Sequence, residues 1–439
     1  MLTNKLLAEG YEVTLIDHNQ QVLDRCTDRF DVIGVHGNCA SMNTLLQAGI
    51  RKSDLLIAVA GADEFNLLCC MTAHGINPEI HTIARIRNPE YVDQLYQMRD
   101  TFAVSMVVNP ERQAAGEIER LLKYPGFLRR ETFAKGRVEL VELKVVEDSI
   151  LCDVALSDLN EIIKCKILVC AVRRGGVVSA PDGQFVLKAG DRIYVTATSA
   201  ELTKLLKNLG VITHKVKRVI ICGGGKVGFY LANLLSKSGT EVELIEQKYE
   251  RCLELANYLP EVSIVNGDAS NQMFLESEGI EQCDALVALT SYDEMNMIIS
   301  LYAQSYQVEQ VITKIDHTEN PIIQDILGLG SLVNPKELCC NQIVRYVRAM
   351  ENTTGAALSV HSFAEGQMEA SEFRLDDEAM HCGEPLRELN IRKNVLIVCI
   401  SKHGRPIIPD GDSCFEKGDT VVVVTNGDIV LRKFNDIYA

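Results

Sequence analysis

The sequence predicts an α/β protein in which two doubly wound parallel sheets, each covered by helices on both faces, are each followed by a small β-rich α+β domain. Three observations predict this fold. Short apolar runs alternate with helix-length segments, one of these runs enters a glycine-rich loop at a helix start, and the whole arrangement occurs twice along the chain. The first two are typical of a doubly wound sheet, and the third indicates an internal duplication.

The glycine loop lies in residues 218–228, with the sequence RVIICGGGKVG. An apolar strand leads into Gly223, Gly225 and Gly228, which are spaced as G-x-G-x-x-G, and a helical pattern follows. In a dinucleotide-binding turn the first glycine permits the tight turn and the second lets the backbone approach a pyrophosphate. The third lets the helix pack on the strand. The loop therefore predicts a Rossmann-type nucleotide site, and a tight glycine turn without a ligand is the alternative.

The next apolar run ends in an acid where ribose recognition is expected. Residues 241–245 are followed by Glu246, about twenty residues after the loop, where a carboxylate accepts hydrogen bonds from a ribose hydroxyl. An acid at this position also repels a 2′-phosphate, so it favours NAD over NADP. The alternative is a strand-end carboxylate that only caps the following turn.

The same unit occurs earlier in the chain. Residues 11–17 (YEVTLID) match residues 240–246 (TEVELIE), which places Asp17 where Glu246 stands, 229 residues later. Further matches follow in the same order: residues 37–38 with 267–268, 56–59 with 286–289, 63–66 with 293–296, 181–183 with 409–411, and 190–191 with 418–419. So many matches at nearly one spacing indicate an internal repeat.

The repeat divides the chain into four domains, although length alone suggests about three. We expect nucleotide-binding domains at 1–125 and 215–350, and small β-rich domains at 136–212 and 355–439. Within each half, a basic or glycine-containing connector separates the two domains, at residues 129–136 and 352–355. Residues 335–351 carry an apolar stripe at helical spacing, which predicts either a crossover helix that joins neighbouring domains or a core helix within one domain.

The candidate ligand residues lie on the loops that follow the predicted strands, where open α/β sheets bind nucleotides. They are Gly223, Gly225, Lys226, Val227, Gly228, Glu246, Asp268, Ala288 and Thr290 in the second half, and Asp17, Gly37, Asn38, Ala58 and Arg85 in the first. Asp268 has the alternative of an Asx turn. Arg85 and its counterpart Lys314 would reach a phosphate or a neighbouring subunit, with a solvated cation as the alternative.

Composition narrows the class of protein. With 47% hydrophobic and 24% charged residues the chain has the make-up of a folded soluble protein, and its net charge of −16 argues against a nucleic-acid binder. No apolar run approaches the roughly 18 to 20 residues that cross a bilayer, and no secretory signal is present. The 15 cysteines form no C-x-x-C pair, so we interpret most of them as reduced, buried small residues of a cytoplasmic protein.

No catalytic or metal-binding residues stand out. The nine histidines form no metalloprotease-type pair with an acid. Asp63, Glu64, Asp293 and Glu294 open two predicted helices, where carboxylates suit the positive end of the helix dipole, and we interpret them as caps rather than catalytic groups.

These residues resemble the TrkA family, the nucleotide-binding regulatory subunits of Trk potassium uptake systems. The resemblance covers nearly the whole chain and is carried by residues 83–91 (IARIRNPEY), by 108–111 with 333–335, and by the PDG and GD motifs of both small domains. It implies two Rossmann-like RCK (KTN) domains, each followed by a small RCK C-terminal domain. It also implies an NAD(H) ligand, with ATP or ADP left open, and no enzymatic activity.

The resemblance further implies partners and a location. Members of the family assemble into a tetrameric ring beneath a TrkH-type membrane subunit, on the inner face of the cell membrane, and gate potassium entry. Two alternatives stay open, a nicotinamide-dependent oxidoreductase and a freestanding nucleotide sensor. Each predicted nucleotide domain leads to a small repeated module rather than to a substrate domain with a positioned acid or base, which favours the regulator.

One departure from the repeat concerns the first half. Met1 aligns near Tyr230, so no strand and glycine loop precede Asp17 as residues 218–228 precede Glu246. We expect the reading frame upstream of Met1 to encode roughly a dozen to fifteen residues with such a strand and loop, and to restore a second nucleotide site.

Overall fold

The computed structural model divides the chain into two compact units. The first comprises Met1–Gln113 with Pro335–Val344, and the second comprises Ala114–Asn334 with Arg345–Ala439. The structure describes residues 1–92, 101–123, 129–133, 138–210, 216–317, 327, 329–350, 357–364, 367–402, 404–426, 429 and 431–439.

The first unit contains five short parallel strands and their covering helices. In chain order its elements are α1 (Leu2–Ala8), β1 (Thr14–Asp17), α2 (Gln20–Arg29), β2 (Ile33–His36), α3 (Met42–Gln47), β3 (Leu55–Ala58), α4 (Asp63–Ile76), β4 (His81–Arg85) and β5 (Met106–Val108). Strand β1 pairs with β2, and β3, β4 and β5 form a separate three-stranded sheet. Leu45, Cys70, Ala73 and Ile86 are fully buried in the core of this unit.

Helix α5 (Pro110–Lys123) then leads into the first small domain. Its further elements are β6 (Arg129–Phe133), β7 (Val138–Lys144), α6 (Leu156–Ile163), β8 (Leu168–Arg174), β9 (Val177–Ser179), β10 (Arg192–Thr198) and α7 (Ser199–Asn208). The antiparallel sheet has the order β6-β7-β10-β8-β9. Residues 129–136 were interpreted as a connector, but Arg129–Phe133, with the sequence RRETF, form an edge strand that pairs with β7. The strand was not recognised in the sequence because an edge strand can be charged and needs no continuous apolar run.

The second nucleotide-fold domain has a complete doubly wound sheet. Its elements are β11 (Arg218–Cys222), α8 (Lys226–Lys237), β12 (Glu241–Glu246), α9 (Tyr249–Tyr258), β13 (Ser263–Asn266), α10 (Gln272–Ser277), β14 (Ala285–Ala288), α11 (Asp293–Ser305), β15 (Gln310–Lys314), β16 (Ser331–Val333) and α12 (Pro335–Met350). The six parallel strands have the order β13-β12-β11-β14-β15-β16. From β11 the chain adds β12 and β13 on one side and then β14, β15 and β16 on the other, so the strand order switches between β11 and β14. At this switch point, beyond the carboxyl ends of the strands, such folds bind ligands. The predicted fold class is confirmed.

The second small domain repeats the topology of the first. Its strands are β17 (Ala357–Phe363), β18 (Met368–Arg374), β19 (Val395–Lys402), β20 (Arg405–Ile407) and β21 (Thr420–Asn426). They have the order β17-β18-β21-β19-β20, which corresponds strand for strand to the first small domain. The predicted connector at residues 352–355 lies outside the described part of the chain.

The two small sheets share one apolar core. Strands β7, β8 and β10 contribute Leu140, Ala171 and Tyr194 to the same buried cluster as Phe363 of β17 and Val422 of β21. The rings of Tyr194 and Phe363 lie 5.2 Å apart between centroids, in a tilted arrangement that aromatic pairs prefer over face-to-face stacking. Each small domain also has a core of its own on the other side of its sheet. The small domains of the two halves therefore fold as a pair.

The GD motif of each small domain has a structural role. Gly190 and Gly418 both adopt a left-handed φ of 88°. Asp191 is 1% exposed, and its carboxylate accepts a hydrogen bond from the Lys188 N–H over 2.8 Å and two from Arg174 over 2.7 Å. The glycine makes the turn, and the acid that follows binds its backbone.

Asp191 predicts a pH-dependent contribution to stability. Burial raises the pKa of Asp191, but hydrogen bonds from Arg174 and Lys188 outweigh burial, so its pKa lies below the usual 3.8. A lowered folded-state pKa stabilises the fold above the unfolded pKa, and this stability is lost as pH falls through the folded pKa. We expect Asp191→Ala to lower the free energy of unfolding by about 1–3 kcal/mol at neutral pH, and the difference to shrink below about pH 4.

Denaturant unfolding across pH measures this effect. Asp182→Ala, in the exposed PDG turn of the same domain, is the control that should leave stability nearly unchanged. A parent-to-variant difference for Asp191 that stays constant between pH 3 and pH 7 would contradict the assignment.

Two helices have their ends in different units. Pro110–Gln113 of α5 and Pro335–Val344 of α12 belong to the first unit, while the rest of each helix belongs to the second. Residues 335–351 were predicted to be either a crossover or a core helix, and the structure forms a helix over Pro335–Met350. No helix among the described residues combines the length and apolarity needed to span a membrane.

Candidate nucleotide-binding site

The glycine loop joins β11 to α8 at the centre of the second parallel sheet. Gly223 has a φ of 123°, and a Cβ there would lie 2.8 Å from the carbonyl oxygen of Leu289. A Cβ on Gly228 would lie 2.1 Å from the carbonyl oxygen of Gly223, so only glycine lets α8 approach this closely. These two glycines are required by the backbone path itself.

Gly225 differs from its neighbours because its surroundings are open. No atom lies within 4 Å of a Cβ built on it, and it is the N-cap residue of α8. By contrast, a Cβ on Gly224 would lie 2.5 Å from Leu255 and 3.0 Å from a carboxylate oxygen of Glu246. Gly224 is an unspecified position of the G-x-G-x-x-G motif, and only the run of three glycines marks it in the sequence.

Open space and helix geometry together suit an anion at Gly225. The first N–H groups of a helix have no partner within the helix and carry the positive end of its dipole. Lys226 opens α8 with an exposed side chain, while Val227 is buried against the sheet. The loop therefore presents backbone donors and one cation on an unobstructed side, as phosphate binding at a helix N-terminus requires.

Glu246 ends β12 and faces the glycine loop. Its Oε2 accepts a hydrogen bond from the Gly224 N–H over 2.9 Å, and its Oε1 accepts one from the Lys248 N–H over 2.8 Å. A carboxylate has about four acceptor sites, so both oxygens retain capacity for a ribose hydroxyl. Glu246 thus binds the glycine loop as well as the turn after β12, whereas the alternative interpretation gave it the turn alone.

An arginine that the sequence analysis missed supports the same loop. Arg251, on the first turn of α9, donates from Nε to the carbonyl oxygen of Gly224 over 3.0 Å and pairs with Glu254 over 2.7 Å. In the sequence, Arg251 is visible only as a cation in the first turn of the helix that follows Glu246. A sequence pattern alone does not distinguish such a cation from an ordinary solvated side chain.

Asp268 forms the Asx turn that was its alternative interpretation. Its Oδ1 accepts hydrogen bonds from the backbone N–H and hydroxyl of Ser270 over 2.9 and 2.7 Å, and Gln247 donates to Oδ2 over 3.3 Å. The side chain lies at the same edge of the sheet as Glu246, one strand away, because β12 and β13 are paired in parallel.

Ala288 and Thr290 lie at the carboxyl end of β14, on the other side of the switch point. Ala288 is fully buried, and Thr290 is held by Asn296, whose Oδ1 accepts from both its N–H and its hydroxyl over 2.7 Å. The Nδ2 of Asn296 donates to the carbonyl oxygen of Lys314 over 3.0 Å. This buried amide ties the ends of β14 and β15 to α11 and so fixes the edge of the crevice.

Asp293 has a role beyond the helix-capping interpretation. It lies in the first turn of α11, and its carboxylate also accepts from the N–H groups of Asp316 and His317 over 2.9 Å and contacts the His317 ring at 3.0 Å. Burial raises the pKa of Asp293, but these hydrogen bonds outweigh it and hold the pKa below its usual value. Asp63 likewise accepts from the N–H groups of Arg87 and Asn88 over 2.8 Å.

The first half has the corresponding residues at the ends of β1 and β2. Asp17 accepts from the Asn19 N–H over 2.8 Å and lies 3.3 Å from the His18 ring. The Gly37 N–H donates to the carbonyl oxygen of Asp17 over 2.9 Å, and a Cβ on Gly37 would lie 2.7 Å from Thr44. Asn38 caps its own turn by accepting from the Ala40 N–H over 2.9 Å.

Ala58 and Arg85 end β3 and β4. Asn66 binds Ala60 and the carbonyl oxygen of Arg85 over 2.7 and 2.8 Å, as Asn296 does in the second half. The Arg85 guanidinium donates to the carbonyl oxygen of Ala60 over 2.7 Å, and burial lowers the pKa of Arg85. Its counterpart Lys314 has a largely buried side chain and pairs with Asp316 over 3.0 Å.

Metal ligation has no support within the described ranges, where no three His, Cys, Asp or Glu side chains are grouped to hold an ion. The roles given to the candidate ligand residues of both halves stay predictions. What the geometry establishes is that the second half brings its candidates together around the switch point of one sheet.

The fold and the site define a class: a tandem α/β nucleotide-fold protein whose halves each carry a small β-rich domain. The TrkA-N domain matches residues 1–110 and 219–335, and the TrkA-C domain matches residues 140–210 and 370–435. These matches cover most of the chain, which therefore belongs to the TrkA family.

Relatives and solved structures agree with this assignment. The Trk system potassium uptake protein TrkA homolog of Archaeoglobus fulgidus is 31% identical, with 98% of this chain and 96% of the relative covered. The Trk system potassium uptake protein TrkA of Haemophilus influenzae is 29% identical over 96% of this chain and 92% of its own. The crystal structure of the GsuK RCK domain is 16% identical, has a TM-score of 0.61 and covers 97% of this chain and 90% of that one. At this identity the GsuK structure shows the fold alone.

Proposed function

We propose that this chain is the nucleotide-binding regulatory subunit of a Trk-type potassium uptake system. The observation that carries the proposal is the nearly full-length relationship to Trk system potassium uptake proteins. The second-half crevice supports it, because backbone donors, an exposed lysine and a ribose-type acid converge on one side of the sheet. The four domains are proposed to lie at 1–125, 136–212, 215–350 and 355–439.

The proposed ligand is NAD(H), with ATP or ADP as the competing nucleotides. All of them present a pyrophosphate to the loop at Gly225 and an adenosine ribose to Glu246, and an acid at that position disfavours a 2′-phosphate. The GsuK channel, whose structure was solved bound to NAD, has a TM-score of 0.60 to this chain. That similarity concerns fold only, so the preference for NAD depends on the site residues.

Regulation is proposed rather than catalysis. The polar side chains of the crevice, among them Glu246, Asp268 and Asn296, are bonded to backbone groups and order the loops. A nucleotide bound there would bias two arrangements of an assembly by its difference in affinity for them. The proposed assembly is a tetrameric ring on the inner face of the membrane, beneath a TrkH-type subunit.

Loss of the ribose acid tests the ligand site. We expect Glu246→Ala to weaken NADH binding by about 1–3 kcal/mol, which is roughly a 5- to 150-fold rise in Kd, since a ribose hydroxyl would be left without its acceptor. Calorimetry with NADH, NAD, ATP and ADP measures this. Glu246→Gln keeps an acceptor oxygen and should lose less, and Glu250→Ala, exposed on the next helix, is the matched control. Equal NADH affinity of parent and Glu246→Ala would remove Glu246 from the site.

Transport tests the function itself. The chain is expressed with a Trk-type membrane subunit in cells that lack other potassium uptake, and rubidium influx is followed. The proposal expects co-purification with that subunit from solubilised membranes and influx that depends on the chain. Hydride transfer to a small substrate, with no effect on influx, would support the oxidoreductase instead. Nucleotide binding with no membrane partner would support the freestanding sensor.

Exposed apolar helix faces support the proposed self-association. On α4, Phe65 and Leu68 are 50% and 49% exposed, and Met71 follows at the same helical spacing. The corresponding face of α11 carries Ile298, which is 41% exposed. A contiguous apolar face such as that of α4 marks an interaction site, and an exposed apolar residue at the equivalent place on α11 suits alternation of the two halves around a ring.

A charge on these faces should prevent assembly. We expect Leu68→Glu or Ile298→Glu to shift the protein to a smaller mass in light scattering, because burying an unpaired carboxylate costs several kcal/mol. Val177→Glu, an equally drastic change at an exposed position of the first small domain, is the control and should leave the mass unchanged. A parent protein that is monomeric with and without nucleotide would contradict the ring.

A further inference from the structure

Cys39 and Cys69 of the first unit lie side by side. Cys69 lies on α4 and is 1% exposed, and its Sγ donates to the carbonyl oxygen of Cys39 over 3.0 Å. Cys39 lies in the loop between β2 and α3 and is partly exposed. The pair therefore combines a partly exposed cysteine with a buried one.

The fold does not require these cysteines. In the second half the same loop and helix carry Ala269 and Ile299, both buried in the corresponding core. Their neighbour Cys70 is different, because its thiol donates to the carbonyl oxygen of Ile83 over 4.0 Å and its counterpart Ser300 is likewise polar, with a hydrogen bond to Thr313. Cys70 thus fills a polar packing position common to both halves, whereas the pair of thiols is peculiar to the first half.

We propose that Cys39 and Cys69 form a peroxide-sensitive dithiol that closes reversibly to a disulfide. Cys39 directly follows Gly37 and Asn38, two of the candidate ligand residues of the first half. The disulfide would tie that loop to α4.

The chemistry balances with one hydroperoxide as oxidant. The Cys39 thiolate attacks one oxygen of hydrogen peroxide, the O–O bond breaks, and hydroxide leaves and takes up a proton to form water. The resulting Cys39 sulfenic acid is attacked by the Cys69 sulfur, which loses its proton to the departing hydroxide as the second water forms. Two thiols and one peroxide thus give one disulfide and two waters, and a dithiol reductant reverses the step.

The assignment of nucleophile and resolving thiol agrees with the surroundings. The hydrogen bond from Cys69 lowers the pKa of Cys39 to about 6, burial and the charge of Asp17 oppose this, and His18 assists it. The hydrogen bond to Cys39, together with burial, raises the pKa of Cys69 far above its usual value. A thiolate at the exposed position and a protonated thiol behind it are the arrangement of redox-sensitive cysteine pairs.

Peroxide treatment of the full-length chain tests the proposal. After alkylation of the remaining thiols and proteolysis, mass spectrometry should find the Cys39 and Cys69 peptides joined, and reduction should release them. In Cys69→Ala the sulfenic acid cannot be resolved, so dimedone should label Cys39. We expect iodoacetamide to modify Cys39 at least about tenfold faster than Cys26, the other partly exposed cysteine of this unit.

Cys39→Ala copies the second half at Ala269, so it should fold, and it should abolish both the crosslink and the dimedone adduct in the Cys69→Ala background. Cys26→Ser should change neither. The proposal is overturned if peroxide oxidises Cys26 as fast as Cys39, or if the folded parent yields only sulfinic acid at Cys39 without the crosslink. Thermal unfolding of each variant confirms that it retains the parent fold.

Discussion

Replacing Gly228 by alanine should unfold the second nucleotide-fold domain, while the larger change Gly225→Leu should leave it folded and abolish its ligand binding. A Cβ at Gly228 would lie 2.1 Å from the carbonyl oxygen of Gly223, a backbone atom that cannot move without displacing β11 or α8. We expect a loss of about 3 kcal/mol or more in the free energy of unfolding.

Gly225 lies only three residues earlier, but its φ of −65° suits any residue and nothing surrounds its Cβ position. As an N-cap change, Gly225→Leu should cost about 1 kcal/mol or less. A leucine there would occupy the space that a pyrophosphate needs, so NADH affinity should fall at least tenfold, which is about 1.4 kcal/mol.

Circular dichroism during denaturant unfolding and calorimetry with NADH separate the two effects. Gly224→Ala, with its near contact to Leu255, should lie between the two in stability. If Gly228→Ala unfolds at the same denaturant concentration as the parent, then α8 packs less closely against the glycine loop than the 2.1 Å contact implies. Parent-like NADH binding by Gly225→Leu would move the ligand away from the loop.

Truncation of Phe363 should be the most damaging change in the small domains. Phe363 is 1% exposed in the core that the two small sheets share, and its ring contacts Tyr194 of the other domain. Removing a fully buried aromatic side chain costs about 3–5 kcal/mol through lost burial and the cavity that remains. Because this cavity lies between the two sheets, Phe363→Ala should also loosen the pairing of the domains.

Limited proteolysis and thermal unfolding measure the loss of stability and pairing. Leu358→Ala on the same strand is the matched control, because Leu358 is 49% exposed and its removal leaves no cavity. If Phe363→Ala and Leu358→Ala melt together and resist protease equally, the shared core does not stabilise the pair.

The sequence predicted the parts of this fold that depend on local pattern. The glycine loop, the alternation of short apolar runs with helices, and the repeat of Asp17 at Glu246 lead to two nucleotide folds, each with a small domain, and the fold class is confirmed. The positive φ at Gly223 and the close packing at Gly228 could be predicted from the sequence, because only glycine fits at these two positions.

Features that depend on distant contacts escaped prediction. Asp293 opens a helix, and its bonds to Asp316 and His317 form only because β15 ends beside it. The shared core brings together Tyr194 and Phe363, which are far apart in sequence, and each strand looks like an ordinary alternating strand. The charged strand Arg129–Phe133 lacks the apolar run by which strands are recognised.

The shared core of the small domains has a consequence for how such a chain behaves on dilution. Two separate half-length chains that met through this sheet face would come apart as their concentration fell. Here both faces belong to one polypeptide, so their local concentration is set by chain length and is independent of how many molecules a cell contains. The duplication has made a dimer that cannot dissociate, and a cell that produces only a few copies still has every small domain paired.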